Sequence, residues 1–339
     1  MEKLPTYDDV LAADQRISGD VVRTPLLRSD LLDNLTGGTV FLKAENLQHT
    51  GSFKFRGATN AIKAHLETGD AVNATGVIAC SSGNHAQGVA EASRIAGISA
   101  TIVMPSDAPS IKVERTRRSG ADILFYDRSV EDREVVTEQH QERLKAQLVH
   151  PYNDPYVVAG QGTCGLEAAD QLQAKGLEPD HVLVCTGGGG LSAGIFLVMQ
   201  DRFPSAQFHT VEPEGFDDYR RSLEAGERLT NKATVGSLCD AILTPMPGVL
   251  SFAILNGGAS TPLVVSDKAA LDAVAFAFHE LKVIVEPGGA VTLAALLTGQ
   301  LDVRGKVTLA TLSGGNIDPE IFAKAISGYA PVSGETVLP

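Results

Sequence analysis

Two hydrophobic rhythms alternate along the chain. Thr6 and Asp9 form a capping pair, and Val10, Leu11 and Ile17 follow at helical spacing, which predicts a first helix. Thr39–Lys43 (Thr-Val-Phe-Leu-Lys) reads as a strand, and Ser52 to Leu66 as a helix with Ala58, Ala61, Ile62 and Leu66 on its apolar face. Strands are then expected at Val77–Cys80, Thr101–Met104 and Ile123–Tyr126. Helices are expected from Asn84 to Ile95, after Pro109, and from Val130 to Leu148. A second series begins near Gln161 with a helix, then a strand His181–Cys185, a helix from Leu191 and a strand Phe208–Val211. It closes with helices over Lys268–Leu281 and Gly289–Leu297 and a strand Lys306–Leu312. Such alternation predicts parallel sheets covered by helices on both faces. Two series predict an α/β protein of two doubly wound open-sheet domains, with the site in the cleft between them.

Size agrees with this: 339 residues exceed one usual domain of roughly 100–200. The boundaries expected are 1–75 and 154–325 for a large domain and 76–153 for a small mobile one. A Gly-, Pro- and Ser-rich tail, 326–339, is expected to be loosely held. Tryptophan is absent, so the core must rest on Val, Leu, Ile and Ala. A net charge of −13 argues against nucleic acid and anionic membrane surfaces as partners and suits a cytoplasmic protein. Cys80, Cys164, Cys185 and Cys239 form no C-x-x-C pair, which gives no support to a disulfide frame or zinc site. The N-terminus lacks a charged region followed by an apolar stretch, so no secretion signal is expected, and no run approaches the ~20 apolar residues of a membrane span.

Four loops carry the chemistry. Lys54 stands in Ser52-Phe53-Lys54-Phe55-Arg56-Gly57, near the start of a predicted helix. Ser81-Ser82-Gly83-Asn84-His85 follows a predicted strand. Capping explains one Ser or Asn there, but three polar side chains within four residues exceed what a cap requires. Small residues at such a turn leave N–H groups free to hold a carboxylate. Gly187-Gly188-Gly189-Gly190-Leu191 lies between an apolar strand and an apolar helix, so it reads as an anion cradle rather than a linker. It lacks both the Lys-Ser/Thr ending of a P-loop and the spaced glycines of a dinucleotide fingerprint. Ser313-Gly314-Gly315-Asn316 follows the last strand. One reactive amine together with one phosphate cradle is what pyridoxal 5'-phosphate (PLP) requires.

Together these motifs resemble the fold type II PLP enzymes, in the branch of serine/threonine dehydratases (threonine ammonia-lyases) and serine racemase. The resemblance runs from about Thr6 to Phe322. It implies that Lys54 is the Schiff-base lysine and the base that removes the Cα proton. It places Phe53 against the pyridine ring, Ala241 near the other face, and Asn84 on the ring 3'-oxygen. Gly187, Gly188, Gly189, Gly190 and Leu191 would hold the phosphate, and Ser313 would face the ring nitrogen. A neutral hydroxyl at that nitrogen suits elimination or racemisation better than transamination.

For the substrate, the resemblance implies Ser81, Asn84 and His85 on the carboxylate and Ser82 on the face opposite the lysine. Arg133 would approach a second substrate carboxylate; an exposed helical salt bridge is its alternative. Glu212, Asp218 and the Phe216 carbonyl match a divalent-cation site for Mg²⁺, or Mn²⁺ or Ca²⁺, with a solvated acidic turn as the alternative. The stretch Asp240–Gly248 carries two prolines where racemases have a shorter serine-containing loop. Thr244 keeps a hydroxyl there, but side-chain specificity is left open. The chain ends soon after the Ser313 loop, so no C-terminal regulatory domain is expected.

The implied reaction is α,β-elimination from L-threonine or L-serine to a 2-oxo acid and ammonia, by a homodimer. A 3-hydroxyaspartate is an alternative substrate and serine racemisation an alternative reaction. A non-catalytic PLP or amino-acid binder and a nucleotide-binding protein are rivals from other classes.

Overall fold

The computed structural model describes residues 3–68, 76–233, 235–258 and 261–329. In chain order its strands are β1 (Leu26–Leu27), β2 (Thr39–Ala44), β3 (Val77–Cys80), β4 (Ala100–Pro105), β5 (Asp122–Tyr126), β6 (Gln147–Leu148), β7 (His181–Cys185), β8 (Gln207–Pro213), β9 (Leu263–Val265) and β10 (Val307–Leu312). They form a six-stranded sheet, β1-β2-β10-β7-β8-β9, and a four-stranded sheet, β5-β4-β3-β6. Every pairing is parallel except β1 with β2. This is the α/β architecture of two open sheets that the resemblance implies.

The last strand is central. β10 lies between β2 and β7, with Ala310 opposite both Leu42 and Leu183. The loops after β2, β7 and β10 therefore leave the same edge of the sheet, where open parallel sheets hold ligands. One face of this sheet packs a core that includes Val40, Leu42, Leu183 and Leu293, and the other one that includes Phe41, Val182, Val184 and Phe196. Alternating side-chain direction along a strand divides the residues in this way.

The small sheet shares its core with the helix Lys54–Thr68. Phe55, Ala58, Ala61 and Ile62 pack with Val77, Ala79, Val89 and Ile102. The opposite side of this helix meets the helix Pro155–Gln173 so closely that a Cβ on Gly160 would stand 2.8 Å from the Gly57 Cα. The lysine helix is thus wedged between the two layers.

Most predicted elements form within a residue or two of their expected limits. The first helix is Tyr7–Ile17, with Thr6 and Asp9 making both bonds of a capping box. Two predicted helices are too long. In place of a helix to Leu148, the structure has a helix Arg133–Leu144, stopped by Lys145 at φ 49, after which Gln147–Leu148 pairs with Val77–Ile78. In place of Lys268–Leu281, an α-helix Asp267–Phe276 passes into a π-turn through Leu281, stopped by Lys282 at φ 60. The expected tail falls largely on 330–339, outside the described residues. Its described start is held, since the Tyr329 hydroxyl donates to Glu280 Oε1 at 2.7 Å. All four cysteines are free thiols. Among the described residues no helix is long and apolar enough to cross a membrane.

Candidate active site

Lys54 is the first residue of its helix, and the chain is stitched down just before it. The Phe53 N–H donates to the Ser313 carbonyl at 3.2 Å, and Ser52 forms a bridge with Gly314. Two residues further on, Arg56 is fully buried. Its Nε and Nη2 donate to Glu45 at 2.7 and 2.9 Å, and its Nη1 and Nη2 donate to Glu167 at 2.8 and 2.9 Å. Lys43 also donates to Glu167, at 2.7 Å. Two cations and two carboxylates balance in a dry interior, and paired bidentate geometry is what makes such burial tolerable. The clamp ties the lysine helix to the end of β2 and to the Pro155–Gln173 helix. Lys54 Nζ is thereby aimed at the Pro151 carbonyl, to which it donates at 3.0 Å, and burial lowers its pKa to about 8.

The Ser81-Ser82-Gly83 loop leads from β3 into the helix Asn84–Ala96, whose N-cap, Gly83, makes no side-chain cap bond. The first N–H groups of that helix are therefore available to an anion. Asn84 is oriented by two partners. Its amide donates to Glu286 Oε1 at 2.7 Å, and its carbonyl accepts from Asn316 Nδ2 at 2.8 Å. Asn316 is anchored in turn on the Thr50 carbonyl at 2.7 Å. With its carbonyl engaged, Asn84 offers the remaining amide N–H as a donor. Burial pushes the Glu286 carboxyl up to about 7.

The glycine loop joins β7 to the helix Gly190–Arg202. Gly189 has φ +85, and a Cβ there would collide with the Tyr219 hydroxyl, so both conformation and space require glycine. The Gly188 carbonyl accepts from Ser251 Oγ at 2.7 Å, Gly248 N at 3.1 Å and Tyr219 Oη at 3.3 Å. Because the peptide is trans, fixing this carbonyl turns the next N–H the opposite way. Thr186 and Ser192 lock the two ends of the loop through a 2.7 Å hydroxyl contact.

Lys54, both helix starts and the glycine loop line one cavity of about 790 Å³ between the sheets. A depressed amine, two sets of free N–H groups and a fixed amide donor together fit PLP and an amino acid. The chain's relatives agree. Residues 17–314 match the family described as pyridoxal-phosphate dependent enzyme. The chain belongs to that family. It is 40% identical over 326 residues to an L-threo-3-hydroxyaspartate ammonia-lyase from Pseudomonas sp, covering 96% of this chain and 100% of the relative. It is 40% identical over 335 residues to the L-threonine ammonia-lyase of Thermotoga maritima, covering 98% and 81%. The structure of maize serine racemase superposes with a TM-score of 0.88 at 35% identity, covering 96% and 98%.

In this PLP-dependent enzyme Phe53, Ser81, Ser82, Arg133, Ala241 and Thr244 also line the cavity. Arg133 begins the helix Arg133–Leu144, and its side chain is 3.9 Å from Glu134 in a long, weak pairing. The Thr244 hydroxyl is buried without a partner. Ser313, 4% exposed, is not among the cavity-lining residues. It lies just beyond β10, beside Phe53.

His85 meets the cavity differently from the sequence reading. Its Nε2 donates to the Val149 carbonyl at 2.8 Å, and burial lowers its pKa to about 3. The neutral ring then presents only an acceptor at Nδ1, so an anion would be met by the His85 backbone N–H.

Glu212, Phe216 and Asp218 lie away from the cavity wall. Glu212 accepts the backbone N–H groups of Tyr219 and Arg220 at 2.8 and 2.9 Å, capping the helix Asp218–Ala225. Asp218 accepts from Asn231 Nδ2 at 2.6 Å through Oδ1, while its Oδ2 is buried and unpartnered. The same Asn231 amide donates to the Thr244 carbonyl at 2.8 Å, which links this acidic pair to the cavity loop. Among the described residues no group of three His, Cys, Asp or Glu could hold a metal.

Asn316, the last residue of the Ser313 loop, reaches the cavity wall, and Glu286, His150, Tyr152 and Arg228 belong to it without carrying a motif. His150 Nδ1 accepts from the backbone of Asn153 at 2.8 Å, and burial lowers its pKa to about 4. The His-Pro run after β6 was the one available signal.

Proposed function

We propose that the chain catalyses PLP-dependent α,β-elimination of a β-hydroxy amino acid, L-threonine or L-serine, to a 2-oxo acid and ammonia. The carrying observation is the buried Lys54 amine, lowered to about 8, facing the same cavity as two anion-receptive helix starts. The names of the Pseudomonas and Thermotoga relatives support this reaction class.

When bound, PLP supplies an electron sink for the bond pair released at Cα. Residues 187–191 would hold its phosphate, Asn84 its ring oxygen, Phe53 and Ala241 its faces, and Ser313 its nitrogen. The N–H groups at the start of the Asn84–Ala96 helix, with Ser81, orient the substrate carboxylate. Lys54, neutral above about pH 8, takes the Cα proton. The β-hydroxyl leaves as water after protonation, for which Ser82 on the cavity wall is one of two donors, a phosphate group held by the glycine loop being the other. The enamine released into water becomes an imine and hydrolyses to the 2-oxo acid and ammonia.

The deciding assay is 2-oxo acid release from L-threonine, L-serine and both threo- and erythro-3-hydroxyaspartate. Lys54-dependent turnover of any of these supports elimination, and none from all four removes it. Racemisation is the second reading, favoured by Ser82 in the cavity and by the likeness to maize serine racemase. In that case Ser82→Ala abolishes formation of D-amino acid while sparing much of the L-elimination.

The reading includes a homodimer in the cytoplasm, and a small domain, 76–153, that moves against 1–75 and 154–325. The separate four-stranded sheet supports that division. It also includes Mg²⁺ on Glu212, Asp218 and the Phe216 carbonyl, completed by water. The buried, unpartnered Asp218 Oδ2, within electrostatic reach of the Glu212 carboxyl, favours an added cation. Mg²⁺ at a hundredfold excess over Kd should stabilise the holoenzyme by about 2.7 kcal/mol relative to EDTA. A Tm that ignores Mg²⁺, Mn²⁺ and Ca²⁺ alike would remove the site.

A further inference from the structure

The cavity wall carries two arginines, Arg133 and Arg228, that one phosphate and one α-carboxylate do not call for, alongside the carboxylates Glu134, Glu138, Asp240 and Glu286. Lys112 is neutralised by Asp240 at 2.8 Å. Arg133 has only Glu134, at 3.9 Å. Arg228 is half-buried and, among the described residues, has no carboxylate within salt-bridge distance. Its Nε donates to the Pro247 carbonyl at 2.7 Å and its Nη2 contacts Met246 Sδ at 2.8 Å, so the guanidinium is held on the loop that carries Thr244. Neutral partners of this kind fix its position and leave its charge uncompensated. Half-burial makes such a charge costly until an anion arrives.

Arg133 and Arg228 come from different parts of the chain and line the same cavity. Tyr152, also on the wall, lies within electrostatic reach of both. The unpartnered Thr244 hydroxyl adds a polar atom on the Arg228 side. Neither arginine is needed for the phosphate, which has the glycine loop, or for the α-carboxylate, which has the helix start at Asn84.

We propose that Arg228, together with Arg133, forms a third anion subsite that takes the side-chain carboxylate of a four-carbon β-hydroxy amino acid. This rests on the elimination reading and narrows its substrate class to a dicarboxylate. Arg228 acts on specificity and takes no part in proton transfer. A planar guanidinium suits a carboxylate in two-point contact, which a lysine at the same place does not reproduce.

The test is calorimetric binding of succinate and of butyrate to holoenzyme, for wild type, Arg228→Met, Arg228→Lys and Arg133→Met. Wild type should prefer succinate. Arg228→Met should lower the succinate-to-butyrate affinity ratio at least about tenfold, and Arg228→Lys should recover only part of it. The ratio of kcat/KM for 3-hydroxyaspartate to that for serine should fall in parallel. An unchanged affinity ratio overturns the subsite. So does a loss confined to PLP affinity, which would reassign the guanidinium to the cofactor phosphate. The binding ratio needs no turnover, so it judges Arg228 even if wild type releases no oxo acid and the elimination reading falls.

Discussion

Lys54→Ala is expected to reduce 2-oxo acid release by at least ~10⁴-fold, the upper range for a positioned acid–base group, because among the described residues no other amine shares its position. Lys112 is tied to Asp240, and arginine is too basic to give up a proton near neutrality. The same lysine sets a pH signature. Its amine is depressed to about 8, so below that pH the reactive neutral form falls tenfold per unit. Cofactor capture by the PLP-stripped protein, followed by visible absorbance, should therefore slow tenfold per unit below about pH 8 and level off above it. A lysine at its ordinary value of 10.5 would still be gaining rate at pH 9. A plateau that begins only near pH 10 would contradict the dry environment assigned to this amine.

Arg56→Met is expected to destabilise the protein by about 3–5 kcal/mol, the usual penalty for removing one member of a buried charge cluster. Among the described residues, Glu45 and Glu167 would be left with Lys43 as their only cation. Arg56→Lys should not restore stability, since one ammonium cannot replace four guanidinium bonds shared between two carboxylates. Urea denaturation is the measurement. Adding Glu45→Gln to Arg56→Met should return part of the loss by removing one stranded charge. A loss below 1 kcal/mol for the single variant would mean the cluster does not hold the lysine helix.

The alternation of strands and helices was legible because buried parallel strands are short apolar runs, as in His181–Cys185, and the helices between them keep a different period. The glycine loop and the Ser81–His85 turn were legible because their residue types are hard to justify in plain connections. What escaped depends on distant partners. Glu286 sits in an ordinary apolar run, and its role appears only when Asn84, 202 residues away, donates to it. His85 was read as a carboxylate ligand because nothing local reveals the Val149 carbonyl that occupies its ring. The helix predicted to Leu148 failed because Gln147–Leu148 finds a sheet partner in Val77–Ile78, and pairing overrides local periodicity. Arg228 has no motif at all; only the cavity shows what its charge lacks.

The central place of β10 has a consequence for how the protein is made. The small sheet is complete once residue 148 has been synthesised, because β3 to β6 form one continuous stretch of chain. The large sheet has to wait. Until Val307–Leu312 emerges, β2 and β7 each keep an unpaired edge, and two half-sheets, β1-β2 and β7-β8-β9, have no strand to join them. Exposed strand edges of this kind are where chains associate wrongly, so the nascent protein carries its greatest aggregation hazard late, just before its final strand is in place.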